Sequence, residues 1–254
     1  MRYYFLAGYL PELHIDDRKI RVGITELKGE QYYIPSDDWR EVELILLGND
    51  VFMIEKLLSG KTASVEHSVY EAEFWREQIK NPQEGPEFIL NFLREFKAGD
   101  GNFGPREADR LYGAYYDYVS AESRSVFLRQ FFGFDRNLRN VLAAIRARQK
   151  GFSPSDVTVG EDEWVETLRG SSAEDFGLGR EYPWVEQLLA ADHPLRRQEI
   201  IGQILWNLTD EISGDDPFHF NSVLSYALKV QMLEKRLSLS EEEGMAKVRR
   251  LEGR

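Results

Sequence analysis

Pro105-Arg106-Glu107-Ala108-Asp109-Arg110-Leu111-Tyr112-Gly113-Ala114-Tyr115-Tyr116-Asp117-Tyr118-Val119 decides how this chain is read. A proline opens the stretch, at the one helical position where a missing N–H costs nothing. Leu111, Tyr115 and Val119 then recur at the spacing of a single helix face. The same order returns 89 residues later. Pro194-Leu195 opens a second segment in which Ile200-Ile201-Gly202, Ile204 and Leu208 stand where Leu111-Tyr112-Gly113, Tyr115 and Val119 stood. A glycine inside a helix costs about 1 kcal/mol relative to alanine, so its presence in both copies predicts a close helix crossing at each.

Working outward, the next junction also recurs. Phe132-Gly133-Phe134-Asp135 reappears as Phe218-His219-Phe220-Asn221, and Leu47-Gly48-Asn49-Asp50 precedes it, so Asp50, Asp135 and Asn221 are spaced 85 and 86 residues apart. Each is a residue type that caps a helix well. The pattern predicts helices over 37–47, capped by Ser36, and over 50–59, 69–80, 87–96, 105–119 and 135–150, with Gly48-Asn49 and Phe131-Phe132-Gly133-Phe134 as breaks. Three diverged helical units follow, 1–82 (shortened), 83–171 and 172–254. The fold class is all-α, with short alternating stretches at Tyr3 to Tyr9 and Lys19 to Ile24 as the strand-like exceptions.

Composition narrows the function. The 254 residues contain no cysteine, which removes disulfides, thiolate zinc sites and thiol nucleophiles. A net charge of -12 opposes binding to nucleic acid or anionic lipid. The longest aliphatic run, Leu44-Ile45-Leu46-Leu47, is far short of the roughly 20 residues that span a bilayer. The apolar start is stopped by Pro11 and Glu12 without a small-residue cleavage site, so a cytoplasmic location is expected.

Apparent catalytic motifs fail in context. Gly99-Asp100-Gly101-Asn102-Phe103-Gly104 spells a dinucleotide fingerprint but follows a helix rather than a strand. Gly60-Lys61-Thr62 resembles the end of a P-loop, yet the position five before Gly60 is Glu55. His14, His67, His193 and His219 share no metal-ligand spacing. Asp37-Asp38, Asp215-Asp216 and Glu161-Asp162-Glu163 sit where helix dipoles and solvent account for acids. No cofactor, metal or small-molecule substrate is expected.

Two features remain as interaction candidates. Arg139, Arg146 and Lys150 form a basic stripe at helical spacing on an acidic protein, either a solvated helix back or a contact for an acidic partner. Tyr112, Tyr115, Tyr116 and Tyr118, with Phe131, Phe132 and Phe134, are either core or partner anchors.

The segment Tyr115-Tyr116-Asp117-Tyr118 … Phe131-Phe132-Gly133-Phe134-Asp135-Arg136-Asn137-Leu138-Arg139-Asn140 … Arg146-Ala147-Arg148-Gln149-Lys150-Gly151-Phe152-Ser153 resembles the central-stalk socket subunit of V-type and archaeal-type rotary ATPases, called C in prokaryotes and d in eukaryotes. The beginning, Tyr3-Tyr4-Phe5-Leu6 … Leu10-Pro11, looks more like a group of bacterial proteins encoded beside V-type ATPase genes. The resemblance implies a non-enzymatic adaptor of three helical units arranged as a funnel. Such a protein joins the rotor shaft to the membrane ring and touches the membrane only through the complex. Asp135, Asn137 and Arg139 match the motif by position, with Asp50 and Asn221 as sister positions. The chain departs from the family in its reduced first unit and in having Asn221 where the pattern carries aspartate. Both a true stalk subunit and an accessory protein fit. A helical interaction module unrelated to rotary ATPases and an enzyme with an unfamiliar site are the rival classes.

Overall fold

The computed structural model describes residues 3–62, 65–99, 101–239 and 244. Among these every regular element is helical, as the 3.6-residue periodicity predicts, and no strand occurs. Eleven α-helices follow one another: α1 (Tyr4–Tyr9), α2 (Ile24–Gly29), α3 (Ser36–Leu58), α4 (Ala72–Lys80), α5 (Glu87–Ala98), α6 (Pro105–Glu122), α7 (Val126–Gln149), α8 (Glu163–Gly170), α9 (Trp184–Ala190), α10 (Pro194–Ser213) and α11 (Phe220–Ser238). The strand-like reading of Tyr3 to Tyr9 is thereby corrected. Phe5 and Tyr9, four apart, stack along α1 with centroids 5.6 Å apart, an i,i+4 contact available only to a helix. Lys19 to Gly23 is irregular until α2 begins at Ile24. No described helix is long and apolar enough to cross a membrane.

The chain forms two compact units, 1–39 with 186–254, and 40–185. The division falls inside α3, after Trp39, and inside α9, after Val185, so it cuts the first and third of the units expected from sequence. The physical reason lies in the end unit, where the N-terminal segment folds onto the last helices. Tyr226 donates to the Val22 carbonyl at 2.6 Å, Arg236 donates to the Asp17 carbonyl, and the Tyr3 and Phe220 rings meet at 5.1 Å. No local pattern announces contacts between residues about 200 positions apart.

In the middle unit α6 packs against α5 and α7, and α8 packs on α7. Leu111, Tyr115 and Val119 are buried, as their stripe predicts, and so are Ile45 and Ile54 of α3, Leu93 of α5 and Phe131, Leu138 and Val141 of α7. Buried Glu41 fixes the α6–α7 junction by accepting from Ser123 Oγ at 2.6 Å and from the Arg124 N–H at 2.8 Å. Pro105 and Pro194 each occupy the first helical turn, where they are expected.

Both expected helix breaks are corrected. The helix α3 runs unbroken through Gly48-Asn49, and α7 through Phe131 to Phe134. Packing overrides the local signal in each case. At Gly48 an added Cβ would lie 3.1 Å from Tyr115 Oη, so the glycine is there for a close approach and not for a stop. Phe131 and Phe132 are buried and need helical geometry to point inward. Ser125 caps α7, accepting the Leu128 N–H at 3.3 Å, and His219 caps α11, accepting the Asn221 N–H at Nδ1 at 3.1 Å. Asp50 and Asp135 therefore lie within helices, and Asn221 is the second residue of α11.

The repeat has a different register from the one the capping residues suggest. Helix starts at 36 and 126, and helix ends at 80 and 170, stand 90 residues apart. At that spacing Asp50 corresponds to Asn140, and both side chains grip a backbone segment 19 residues ahead, at Val69 and Val159.

Candidate protein-interaction surfaces

The motif residues of α7 are placed by packing on α6. Asp135 accepts a hydrogen bond from Tyr116 Oη at 2.7 Å. Burial, then the neighbouring Asp135 charge, holds the Tyr116 phenol well above its usual range. Asn137 is half-buried, and its buried Oδ1 has no hydrogen-bond partner among the described residues. Arg139 is engaged twice, stacked 3.8 Å above the Tyr112 ring and 3.5 Å from Asp109. Tyr112 in turn donates to Glu55 at 2.8 Å, and burial with that carboxylate pushes its phenol up. Burial raises the Asp109 carboxyl despite the opposing pull of Arg139 and Arg146.

The basic stripe is thus divided. Arg139 is spent on the α6–α7 seam, while Arg146 and Lys150 are exposed toward the C-terminal end of α7. The aromatic crowd resolves chiefly into core, since Tyr115, Tyr116, Phe131 and Phe132 are buried and Tyr112, Tyr118 and Phe134 half-buried. Asp50 is a clamp: fully buried, it accepts from the Val69 N–H at 2.7 Å, the Tyr70 N–H at 2.9 Å and Trp75 Nε1 at 2.8 Å. Asn221 Nδ2 donates to the Ser213 carbonyl at 3.4 Å, tying α11 to the end of α10.

The chemistry-bearing motifs come to structural ends. Gly60 turns with φ 69° at the end of α3, in the left-handed region that glycine supplies. Gly99 caps α5 and Gly101 has φ 68°, with Asp100 outside the described residues. His193 and His219 are helix caps whose Nδ1 accepts a backbone N–H. Among the described residues no cluster of three or more His, Asp or Glu is placed to hold a metal. The end unit carries an open groove of ≈ 470 Å³ between residues 11–16 and one face each of α10 and α11. Its charged centre is internally paired: Lys229 bonds Asp210 and lies 4.9 Å from the Trp206 ring.

What the sequence reading missed is an exposed aromatic surface on the end unit. Tyr4 is 52 % exposed, Phe5 47 %, Tyr33 50 % and Tyr32 93 %. Ring contacts join them in two groups: Tyr4 meets Phe218 at 4.3 Å, while Phe5 meets Tyr33 at 4.4 Å and Tyr33 meets Tyr32 at 5.7 Å. Exposed tyrosine and phenylalanine rings of this kind are the composition of a protein-docking surface. The runs Tyr3-Tyr4-Phe5 and Tyr32-Tyr33 mark the place in the sequence, but runs such as Tyr115-Tyr116 look the same and are buried, so no local signal separates them.

Both units lie inside a single family match. Residues 1–253 match the family model described as protein of unknown function, DUF2764. The chain belongs to the DUF2764 family. No curated protein and no solved structure matches it. For this DUF2764 member the site residues therefore rest on their geometry: Asp50, Asp135 and Asn221 hold helices and loops in place, and Tyr4, Phe5, Tyr32, Tyr33, Arg146 and Lys150 face outward.

Proposed function

We propose that this protein is a non-enzymatic adaptor of a V-type rotary ATPase, binding protein subunits so as to link the rotor shaft to the membrane ring or to stand in for the socket subunit. The adaptor part is carried by the exposed aromatics Tyr4, Phe5, Tyr32 and Tyr33, because solvent-facing aromatics bind partners by burying large rigid rings. The choice of partner is supported by the resemblance of residues 115–153 to the stalk socket subunit and by an all-helical architecture. Each unit also pairs some of its own charges, as Arg139 with Asp109 in one and Lys229 with Asp210 in the other. That is the economy of a protein that works by packing and charge complementarity.

The test is affinity purification of the tagged chain from native membranes. Rotary-ATPase subunits are expected to co-purify, and to be lost with a Tyr4→Ser, Phe5→Ser, Tyr32→Ser, Tyr33→Ser variant whose helicity and melting temperature match the parent. Recovery of other proteins without any ATPase subunit replaces this reading with an interaction module unrelated to rotary ATPases.

A further inference from the structure

A second aromatic group lies in the middle unit, and its surroundings differ from those of the first. Phe134 of α7, Trp164 of α8, and Tyr182 just before α9 with Trp184 at its start converge from three separate chain segments. The two indoles lie parallel within 9° at a centroid distance of 6.1 Å, Tyr182 sits 4.4 Å from Trp164, and Phe134 closes the group at 5.8 Å from Trp184. All four are half-buried, so part of each residue stays accessible.

The border of this group is acidic. Glu163 and Glu181 are exposed, and after burial it is these two carboxylates that hold the Tyr182 phenol above its usual range, so both lie beside that ring; Arg169 and Arg180 are the exposed cations of the same segments. Asp162 is engaged by Arg136 at 3.0 Å and Arg169 by Thr158 at 2.9 Å, so those two charges are occupied. Elsewhere the chain covers aromatic faces with its own cations: Arg139 over Tyr112, Arg148 over Phe176, Lys229 over Trp206 and Lys56 over Phe52. Among the described residues no such contact is made to Phe134, Trp164, Tyr182 or Trp184. Tryptophan is the strongest cation–π partner, and a carboxylate at the rim adds Coulomb attraction to the quadrupole of the ring.

We infer that the Trp164–Tyr182–Trp184 surface with its Glu163 and Glu181 rim is a docking site for an arginine-bearing segment of a protein partner. Arginine fits better than lysine because its planar guanidinium stacks on an aromatic face while its N–H groups reach the flanking carboxylates. The site does not depend on the identity of the partner complex proposed above, and a synthetic probe separates the two.

The full-length protein is titrated with tetra-arginine amide by calorimetry at low salt, with tetra-lysine amide as comparison. Tetra-arginine is expected to bind at least tenfold more tightly to the parent and to Tyr182→Phe than to Tyr182→Ala or Trp164→Leu. Glu163→Gln with Glu181→Gln is expected to weaken binding severalfold, and Glu84→Gln with Glu87→Gln, which changes charge equally outside the cluster, to leave it unchanged. Equal binding by tetra-lysine, equal weakening by the two glutamine pairs, unaltered binding to Tyr182→Ala and Trp164→Leu at preserved melting temperature, or no binding to the parent would each overturn the inference.

Discussion

The side chain of Asn140 reads the backbone of Val159 at both polar atoms: Nδ2 donates to the carbonyl at 2.9 Å, and Oδ1 accepts the N–H at 2.9 Å. This pair pins the loop before α8 to the middle of α7, as Asp50 pins the loop before α4 to the middle of α3. Asn140→Ala is expected to cost about 2 kcal/mol, the usual penalty for stranding partly buried polar groups. Urea denaturation checks it, and a change below the scatter of surface mutations refutes the clamp. Asn140→Asp loses the donor and sets a carboxylate against the Val159 carbonyl, so it should be no better tolerated.

Asp50 accepts from three donors and has no solvent exposure, so Asp50→Ala is expected to cost roughly 3 kcal/mol or more. Its pH dependence runs against the common carboxylate pattern. Burial, the largest influence, holds its carboxyl above the ordinary 3.8 although the Val69, Trp75 and Tyr70 donors pull down. The folded protein therefore keeps this proton to higher pH than the unfolded chain, and stability falls as pH rises from 3.8 through the raised value. Relative to Asp50→Asn, which does not titrate, the parent should gain stability as the medium is acidified from neutral through that window. Asp109, also raised, is common to both proteins and cancels in the difference. A parent advantage that grows with rising pH would contradict the assignment.

Gly48 and Tyr115 are predicted to be energetically coupled. The Tyr115 hydroxyl donates to the Leu44 carbonyl at 2.9 Å and stands 3.1 Å from where a Gly48 Cβ would be. Gly48→Ala should destabilise the parent, yet gain up to about 1 kcal/mol of helix propensity in a Tyr115→Phe background, where the nearest ring atom is an ordinary contact. A double-mutant cycle measured by thermal unfolding reads the coupling; additivity would remove it.

The two glycines that match at an offset of 89 should behave differently. Nothing stands within 4 Å of a Cβ at Gly202, whereas at Gly113 it would meet Val159 Cγ1 at 3.2 Å. Gly202→Ala is expected to stabilise the protein by roughly 0.5–1 kcal/mol. Gly113→Ala should show no such gain. Equal gains would mean that the crossing at Gly113 is looser than its contacts indicate.

The residues that were legible early are those whose signal is local. Leu111, Tyr115 and Val119 could be placed on one buried face because a helix repeats every 3.6 residues whatever it packs against. Pro105 and Pro194 could be placed at helix starts because proline lacks a donor. Gly48 and Asp50 misled, since glycine followed by a capping residue looks the same whether it ends a helix or admits a neighbouring ring. The choice between them belongs to Tyr115, 67 positions from Gly48.

The aromatic residues show the same limit from the other side. Tyr115-Tyr116 and Tyr32-Tyr33 are indistinguishable as dipeptides, yet the first pair is buried and the second exposed. Burial is a property of what packs over a residue, and no periodic pattern over three residues reports it.

By itself the sequence determined an all-helical chain without cysteine chemistry, with prolines at helix starts and an apolar stripe on α6, because backbone hydrogen bonding, side-chain periodicity and proline geometry act within a few residues. The tertiary structure alone decided that α3 and α7 run unbroken, that the repeat register is set by Asp50 and Asn140, and that chain ends share one unit. It also decided which aromatics face solvent. Each of these depends on contacts between residues far apart in the chain, whose free energy of burial outweighs the roughly 1 kcal/mol preferences by which single residues start or stop a helix.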